Sequence, residues 1–193
     1  MVAEAFDPLV DLYGQWTTGL AEMYLPIPQA VSGTSYECLD GSLIMRRPRG
    51  SGSVNAMGQL YCQIVDPAKA AGHRAYPALS VIIGPDTWIQ PDLVVLREPI
   101  RNLTWVPIEN VLMAVEINSA AGRRRDMVDK PRLCAEAGVP FFMQVDMNRV
   151  AWVALFELID GEYVVRARAV EGQMFESMAP FAMKFDPADL TEF

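Results

Sequence analysis

Two short apolar runs, each carrying a carboxylate near one end, constrain this chain more than any other feature. Pro-Asp-Leu-Val-Val-Leu spans residues 91–96, and Leu-Met-Ala-Val-Glu-Ile-Asn-Ser spans residues 112–119. A charge in a buried strand requires a partner that offsets the cost of its desolvation. If the runs pair as antiparallel neighbours, the start of one lies beside the end of the other. Asp92 and Glu116 would then share one sheet edge and could hold a metal ion together, with Lys130 close behind as a cation.

Composition places the chain among ordinary globular proteins. Its 193 residues fit one domain, and 51% are hydrophobic. Three cysteines without a Cys-x-x-Cys pair argue against a disulfide framework or a zinc site and favour a reducing compartment. The N-terminus lacks the pattern of a signal peptide, and no apolar run approaches the roughly 18 residues of a membrane span. We therefore expect a cytoplasmic protein with no membrane partner.

The charge distribution limits how the chain could bind nucleic acid. The formal net charge is −8, whereas proteins that neutralise phosphates usually carry a basic surface. The arginines are clustered, in one group at positions 46, 47 and 49 and in another at Arg123, Arg124 and Arg125. The second group is either a set of phosphate contacts or a solvated face.

Periodicity and turn residues predict a mixed sheet with flanking helices in an α/β or α+β domain. Asp40-Gly41 and Asp160-Gly161 predict hairpin turns. The predicted strands span residues 78–83, 93–96, 111–117, 141–145, 150–158, 163–170 and 181–185. The predicted helices span 54–65, with Ser53 as N-cap and Pro67 closing the helix, and 125–137, with Gly138 at the C-terminal cap.

The first 31 residues favour a helix with one apolar face. The apolar residues that recur at helical spacing are Leu9, Leu12, Tyr13, Trp16 and Leu20. Pro26 and Pro28 end the segment. We therefore expect an N-terminal helical extension over residues 1–33 and one domain over residues 34–193.

Several blocks, in order, resemble those of the Uma-two family, bacterial proteins described as candidate restriction endonucleases with the PD-(D/E)XK nuclease fold. The resemblance covers about residues 34–190. The blocks are Tyr36-Glu-Cys-Leu-Asp-Gly41, Pro91-Asp-Leu-Val-Val-Leu96, Val115-Glu-Ile-Asn-Ser119, Arg124-Arg-Asp-Met-Val-Asp-Lys130, Ala135-Glu-Ala-Gly-Val-Pro140, Gln144-Val-Asp146 and Phe156-Glu-Leu-Ile-Asp-Gly-Glu-Tyr163.

The resemblance implies a restriction-endonuclease-like core and metal-dependent hydrolysis of DNA phosphodiester bonds. Asp92 and Glu116 would ligate Mg²⁺ or Mn²⁺, since such ions prefer oxygen ligands, and the carbonyl of Ile117 would add another. The simplest motif places a lysine two residues after the glutamate, where this chain has Asn118. The resemblance assigns that role to Lys130 instead. A homodimer is also expected.

Other departures from the family pattern favour a second function, a degenerate nuclease fold that acts as a binding or regulatory module. The family's histidine near the start of the helix around residue 54 is missing, and the one histidine, His73, fits an exposed loop. Ser42 replaces an acid after the first Asp-Gly, and Pro131 directly follows Lys130.

Three of the candidate residues also have a purely structural interpretation. Asp92 could cap a turn after Pro91, and Lys130 could form a surface salt bridge with Asp126 at four-residue spacing. Glu37 is either a further acid of the site or a polar residue on the exposed face of the first hairpin.

Overall fold

Two mixed β-sheets form the frame of the protein in a computed structural model that describes residues 6–28, 30–118 and 125–191. The strands among these residues are β1 (Ser35–Leu39), β2 (Ser42–Arg46), β3 (Arg74–Pro77), β4 (Ser80–Gly84), β5 (Thr87–Ile89), β6 (Leu93–Leu96), β7 (Trp105–Pro107), β8 (Val111–Asn118), β9 (Phe141–Asp146), β10 (Trp152–Ile159), β11 (Glu162–Val170), β12 (Phe175–Ser177) and β13 (Met183–Phe185). The helices are α1 (Pro8–Asp11), α2 (Thr18–Tyr24), α3 (Ser51–Ala70) and α4 (Lys130–Glu136), with a π-helical turn at Arg125–Asp129 and 3-10 turns at Ile108–Asn110 and Pro187–Thr191.

The larger sheet has the strand order β11-β10-β9-β8-β6-β3. Within it only β8 and β9 run parallel. The smaller sheet has the order β2-β1-β5-β4-β7, and β12 pairs with β13 as a separate hairpin. The prediction of a mixed sheet with flanking helices is confirmed.

The antiparallel pairing of the two acid-bearing runs is also confirmed. β6 pairs with β8 antiparallel, with Leu93 opposite Val115, and the Asp92 N–H donates to the Val115 carbonyl at 3.0 Å. Every residue of both strands is buried. Continuous apolar runs suit central strands that are covered on both faces.

The two faces of the larger sheet have different coverings. One face packs against α3 and β13, through a core that includes Leu60, Ile64, Leu93, Val95, Val115, Ile117 and Phe185. The other face packs against α4 and the smaller sheet, through Val81, Ile89, Val94, Leu96, Ala114, Cys134 and Phe142. Because side chains alternate along a strand, Asp92 and Glu116 share the second face with Val94 and Ala114.

The prediction of one continuous N-terminal helix is wrong. Two short helices, α1 and α2, are separated by Gly14, whose φ of 71° interrupts a right-handed helix. Thr17 then caps α2 by accepting the Leu20 N–H at 3.3 Å. Trp16 lies between the helices and is 1% exposed in a core with Cys38 and Trp88. The division at residue 33 stays a prediction.

The prediction for α3 is correct in type and wrong at both ends. The helix begins at Ser51 with Gly50 as N-cap, so Ser53 lies inside it. Pro67 also lies inside, and the helix continues to Ala70. The buried Ala68, packed in the core, holds the last turn in place despite the missing proline N–H.

Helix α4 ends one residue before the predicted cap, because Ala137 is the C-cap and Gly138 directly follows it. Gly138 has a φ of 75°, and its N–H donates to the Ala135 carbonyl at 3.0 Å. The preceding segment differs from an ordinary helix, because its first turn is π-helical. No helix within the described ranges has the length and apolar character needed to cross a membrane.

The two Asp-Gly hairpin turns offer a matched test of packing. Gly41 and Gly161 have φ values of 76° and 85°, so alanine would be strained at both. A Cβ at Gly41 would lie 2.6 Å from the Gly14 carbonyl oxygen, whereas one at Gly161 would meet no atom within 4 Å. We expect Gly41→Ala to lower the free energy of unfolding by roughly 1–3 kcal/mol more than Gly161→Ala, measured by urea titration. Equal losses would show that the N-terminal segment does not pack on the first hairpin.

Candidate functional site

Four carboxylates meet in the interior, on the face of the larger sheet that α4 covers. All are 0% exposed: Glu37, Asp92, Glu116 and Asp126. Among the described residues, four cations contact them: Arg46, Arg49, Arg125 and Lys130. We call these eight residues the ion cluster. Its formal charges balance, as buried charges require.

Lys130 is the central cation of the ion cluster. Its Nζ lies 2.6 Å from Glu116 Oε1, 2.7 Å from Glu37 Oε1 and 3.4 Å from Asp126 Oδ1. Lys130 is 0% exposed, so a surface salt bridge with Asp126 is excluded. The following residue, Pro131, lies in the first turn of α4, where proline's missing N–H leaves no helical hydrogen bond unmade. A lysine thus reaches Glu116 from the next helix, while Asn118 stands at the end of β8.

Both carboxylate oxygens of Asp92 accept hydrogen bonds. Its Oδ2 accepts the Ile117 N–H at 2.8 Å, across the β6–β8 pair. Its Oδ1 accepts from Arg49 Nη2 and lies 3.7 Å from Arg46 Nη2. Asp92 therefore bonds to a neighbouring strand and to two arginines rather than capping a local turn.

Glu37 is buried, which excludes the alternative that it is a polar residue on the exposed face of the first hairpin. Its Oε1 accepts from Arg46 Nη1 at 3.1 Å and from the Gln90 N–H at 3.0 Å, in addition to its contact with Lys130. The short smaller sheet covers this face of the larger sheet, and that packing brings β1 to the site. Hairpin periodicity carries no information about such packing between sheets.

Sequence reasoning noted the arginines at 46 and 49 without assigning them to the site. Arg46 Nη1 donates to Glu37 Oε1 and, at 2.9 Å, to the Gln90 carbonyl, and Arg49 contacts Asp92. Arg49 and Asp92 are 43 residues apart in sequence, so local patterns gave no signal of their pairing. Gln144 was also missed. It pairs in register with Glu116, and its Nε2 donates to the Met127 carbonyl at 3.1 Å, which anchors the segment leading to Lys130.

The second arginine group is described only in part. Arg125 Nε lies 3.3 Å from Glu37 Oε2 and 3.9 Å from Asp126 Oδ1. Arg123 and Arg124 lie outside the described residues. Phosphate contact by this group stays a prediction.

Burial and neighbouring charges move the pKa values of two adjacent acids in opposite directions. Burial raises the pKa of Glu116 to about 7, and repulsion from Asp126 and Glu37 acts in the same direction, against the attraction of Lys130 and Arg46. Burial also acts to raise the pKa of Glu37, but Lys130, Arg46 and the Gln90 N–H together lower it. Of these two acids, Glu116 is the one whose charged form the protein favours less.

The donor set fits a hard divalent cation, but the ligands are not assembled. Within the described part of the chain, the buried side-chain oxygens without a hydrogen-bond partner are Glu37 Oε2, Glu116 Oε2, Asn118 Oδ1 and both carboxylate oxygens of Asp126. Oxygen atoms of this kind suit Mg²⁺ or Mn²⁺. Nevertheless, within residues 6–28, 30–118 and 125–191 no group of three or more His, Cys, Asp or Glu side chains is arranged to hold a metal ion. Arg49 contacts Asp92 Oδ1, and Lys130 contacts Glu116 Oε1, so each cation takes one carboxylate oxygen of the two proposed ligands.

An opening of about 780 Å³ leads to the ion cluster from the surface. Its wall includes Arg46, Arg47, Arg49, Arg125, Asp126 and the first turn of α3. The wall carries more positive than negative side chains, although the whole chain is acidic. A polyanion therefore has a favourable local approach to the buried carboxylates.

Comparisons with known proteins agree with this fold. The family model Uma2 (Uma-two), described as "Putative restriction endonuclease", matches residues 21–189. One similar solved structure is that of "a putative nuclease belonging to DUF820 from Anabaena variabilis ATCC 29413". It has a TM-score of 0.62 and 16% identity, over 88% of this chain and 96% of that chain. At this identity the likeness shows a shared fold. No curated protein matches the chain.

Loss of the central cation should destabilise the fold. Lys130→Met leaves three buried carboxylates without their shared partner, so we expect the free energy of unfolding at pH 8 to fall by about 3–5 kcal/mol. Lys184→Met is the matched control, because Lys184 is 60% exposed and pairs with Glu176 at 3.5 Å. It should change stability by no more than about 0.5 kcal/mol. If both variants unfold at the same urea midpoint, the central role of Lys130 is contradicted.

Proposed function

Because the chain belongs to the Uma2 family, we propose that it is a divalent-metal-dependent endonuclease that hydrolyses phosphodiester bonds in DNA. The observation that carries the proposal is the meeting of Asp92 and Glu116 on one face of the central strands, with Lys130 Nζ 2.6 Å from Glu116. This acid-acid-lysine set is the one that the family resemblance implies.

The proposed metal ligands are the carboxylates of Asp92 and Glu116, with the carbonyl of Ile117. When bound, Mg²⁺ or Mn²⁺ would supply an activated water and would stabilise charge on the scissile phosphate. The Ile117 N–H orients Asp92 through its bond to Oδ2. The unbonded Oε2 of Glu116 supports a role for this acid as a ligand.

Lys130 has two proposed tasks. Its ammonium group favours the ionised form of Glu116, against the burial that raises the pKa of this acid. It is also placed to stabilise negative charge that develops on the phosphate. Glu37 holds Lys130 Nζ at 2.7 Å, so we assign Glu37 a positioning role within the same site.

The proposed substrate approaches through the arginine-lined opening. Guanidinium groups bind phosphate oxygens well, because their planar N–H donors match the phosphate geometry. Arg125 lies at this opening, and we propose that Arg123 and Arg124, which precede it in sequence, also contact DNA phosphates. A local basic surface of this kind is compatible with a net charge of −8. We further propose that the protein acts as a homodimer.

A second candidate function is a nuclease fold without catalysis that serves as a binding or regulatory module. The observation in its favour is that cations of the protein already neutralise Asp92 and Glu116. Asn118, in place of a lysine on β8, agrees with this alternative.

Nicking of supercoiled plasmid tests the first candidate. We expect cleavage with Mg²⁺ or Mn²⁺ and none with excess EDTA. Asp92→Asn and Glu116→Gln should each lower the rate by on the order of 100-fold or more, because a metal ion contributes several kcal/mol of charge stabilisation.

Glu136→Gln is the control for these variants, because this carboxylate is on α4 but is 59% exposed. It should cleave at the wild-type rate. Cleavage by Glu116→Gln at the wild-type rate would contradict the assignment of the site. DNA binding by wild type without cleavage under any metal would favour the binding module.

A further inference from the structure

We propose that Arg49 is an exchangeable counter-ion of the site, which neutralises Asp92 before a divalent cation binds and turns to a DNA phosphate once the cation has replaced it. This inference rests on the proposed function. It adds a role for a residue outside the acid-acid-lysine set.

The geometry at Asp92 leaves one carboxylate oxygen, Oδ1, for an incoming cation. Oδ2 accepts the main-chain N–H of Ile117, which is fixed within the central β6–β8 pair. Oδ1 is the remaining acceptor, and Arg49 Nη2 donates to it. A metal ion bound through Oδ1 would lie where the guanidinium group of Arg49 now lies, so the two compete for one position.

Arg46 and Arg49 differ in how firmly the protein holds them. Arg46 ends β2, and its guanidinium bonds to Glu37 at 3.1 Å and to the Gln90 carbonyl at 2.9 Å. Arg49 lies in the loop between β2 and α3, and Asp92 is its one ion-pair partner among the described residues. Arg46 is therefore a fixed cation, whereas Arg49 can leave by breaking a single ion pair.

The charge balance of the ion cluster also favours the departure of Arg49. The ion cluster has four acids and four cations. A divalent ion added to that balanced set would bring two excess positive charges, and departure of Arg49 would offset one of them. A phosphate at the opening would then face a cationic site.

Once it leaves Asp92, the Arg49 side chain can extend into the opening at the surface. The side chain of Arg49 is 23% exposed, and it lines the opening of about 780 Å³ together with Arg47 and Gly50. Gly50 is the N-cap of the 20-residue α3 and makes no side-chain capping bond. The first N–H groups of α3 thus add partial positive charge beside Arg49. A phosphate group is the ligand that this combination would recognise.

Mn²⁺ binding, followed by electron paramagnetic resonance without DNA, tests the competition. We expect Arg49→Gln to bind Mn²⁺ at least about tenfold more tightly than wild type. The reason is that the substitution removes the charge-assisted hydrogen bond by which Arg49 competes with the cation for Asp92. Arg47→Gln is the matched control, because it removes the same charge from the exposed part of the same loop. It should leave the affinity within about twofold of wild type.

The outcomes separate this inference from the proposed function. Equal Mn²⁺ affinity in wild type and Arg49→Gln, with loss of binding in Glu116→Gln, would overturn the counter-ion role and leave the metal site intact. Absence of Mn²⁺ binding in all proteins would overturn both.

A measurement on the wild-type chain avoids any dependence on how the variant folds. Phenylglyoxal modifies accessible guanidinium groups, and mass spectrometry locates the modified residues. We expect saturating Mn²⁺ to increase modification of Arg49 several-fold, while modification of Arg47 and Arg46 changes little. A short DNA duplex, added with Ca²⁺, should protect Arg49 from modification again. Unchanged modification of Arg49 on addition of Mn²⁺ would overturn the proposal.

Discussion

The rest of the structure depends on the neutralisation of four buried carboxylates. Burying an ion costs several kcal/mol even after the protein relaxes, so each acid must be matched by a cation with good geometry. The cations come from separate segments: β2, the loop before α3, the π-helical turn and the start of α4. The ion cluster therefore joins both sheets and α4, in addition to the apolar contacts that pack these elements together.

The apolar core makes this concentration of charge tolerable. The two clusters of buried apolar side chains cover opposite faces of β6 and β8, and they hold these strands rigidly. Asp92 and Glu116 inherit that rigidity because their backbone belongs to the same strand pair. A site built on central strands keeps its geometry when a ligand binds, so the adjustable parts are left to loops. The proposed counter-ion role of Arg49 places the adjustable part in the loop between β2 and α3.

The position of Lys130 shows how a motif can be broken in sequence and intact in space. β8 ends at Asn118, and the chain returns at Arg125 to form a π-helical turn that Gln144 anchors. That turn delivers the lysine to Glu116 from α4. Pro131, which is unusual by the family pattern, is accommodated because it falls in the first helical turn. Electrostatic stabilisation depends on where a charge lies and not on which strand supplies it.

By itself, the sequence determined the strand pair, its acids and both Asp-Gly hairpins, because these follow from local apolar runs and turn chemistry. It also determined the family, through short blocks in a fixed order. It did not determine the N-terminal helices, since apolar spacing from Leu9 to Leu20 carries no record of the break at Gly14. Only the tertiary structure decided that Glu37 is buried and that Arg46 and Arg49 neutralise the acids. The physical reason is that burial and ion pairing across sheets depend on long-range packing, which the periodicity of one segment does not encode.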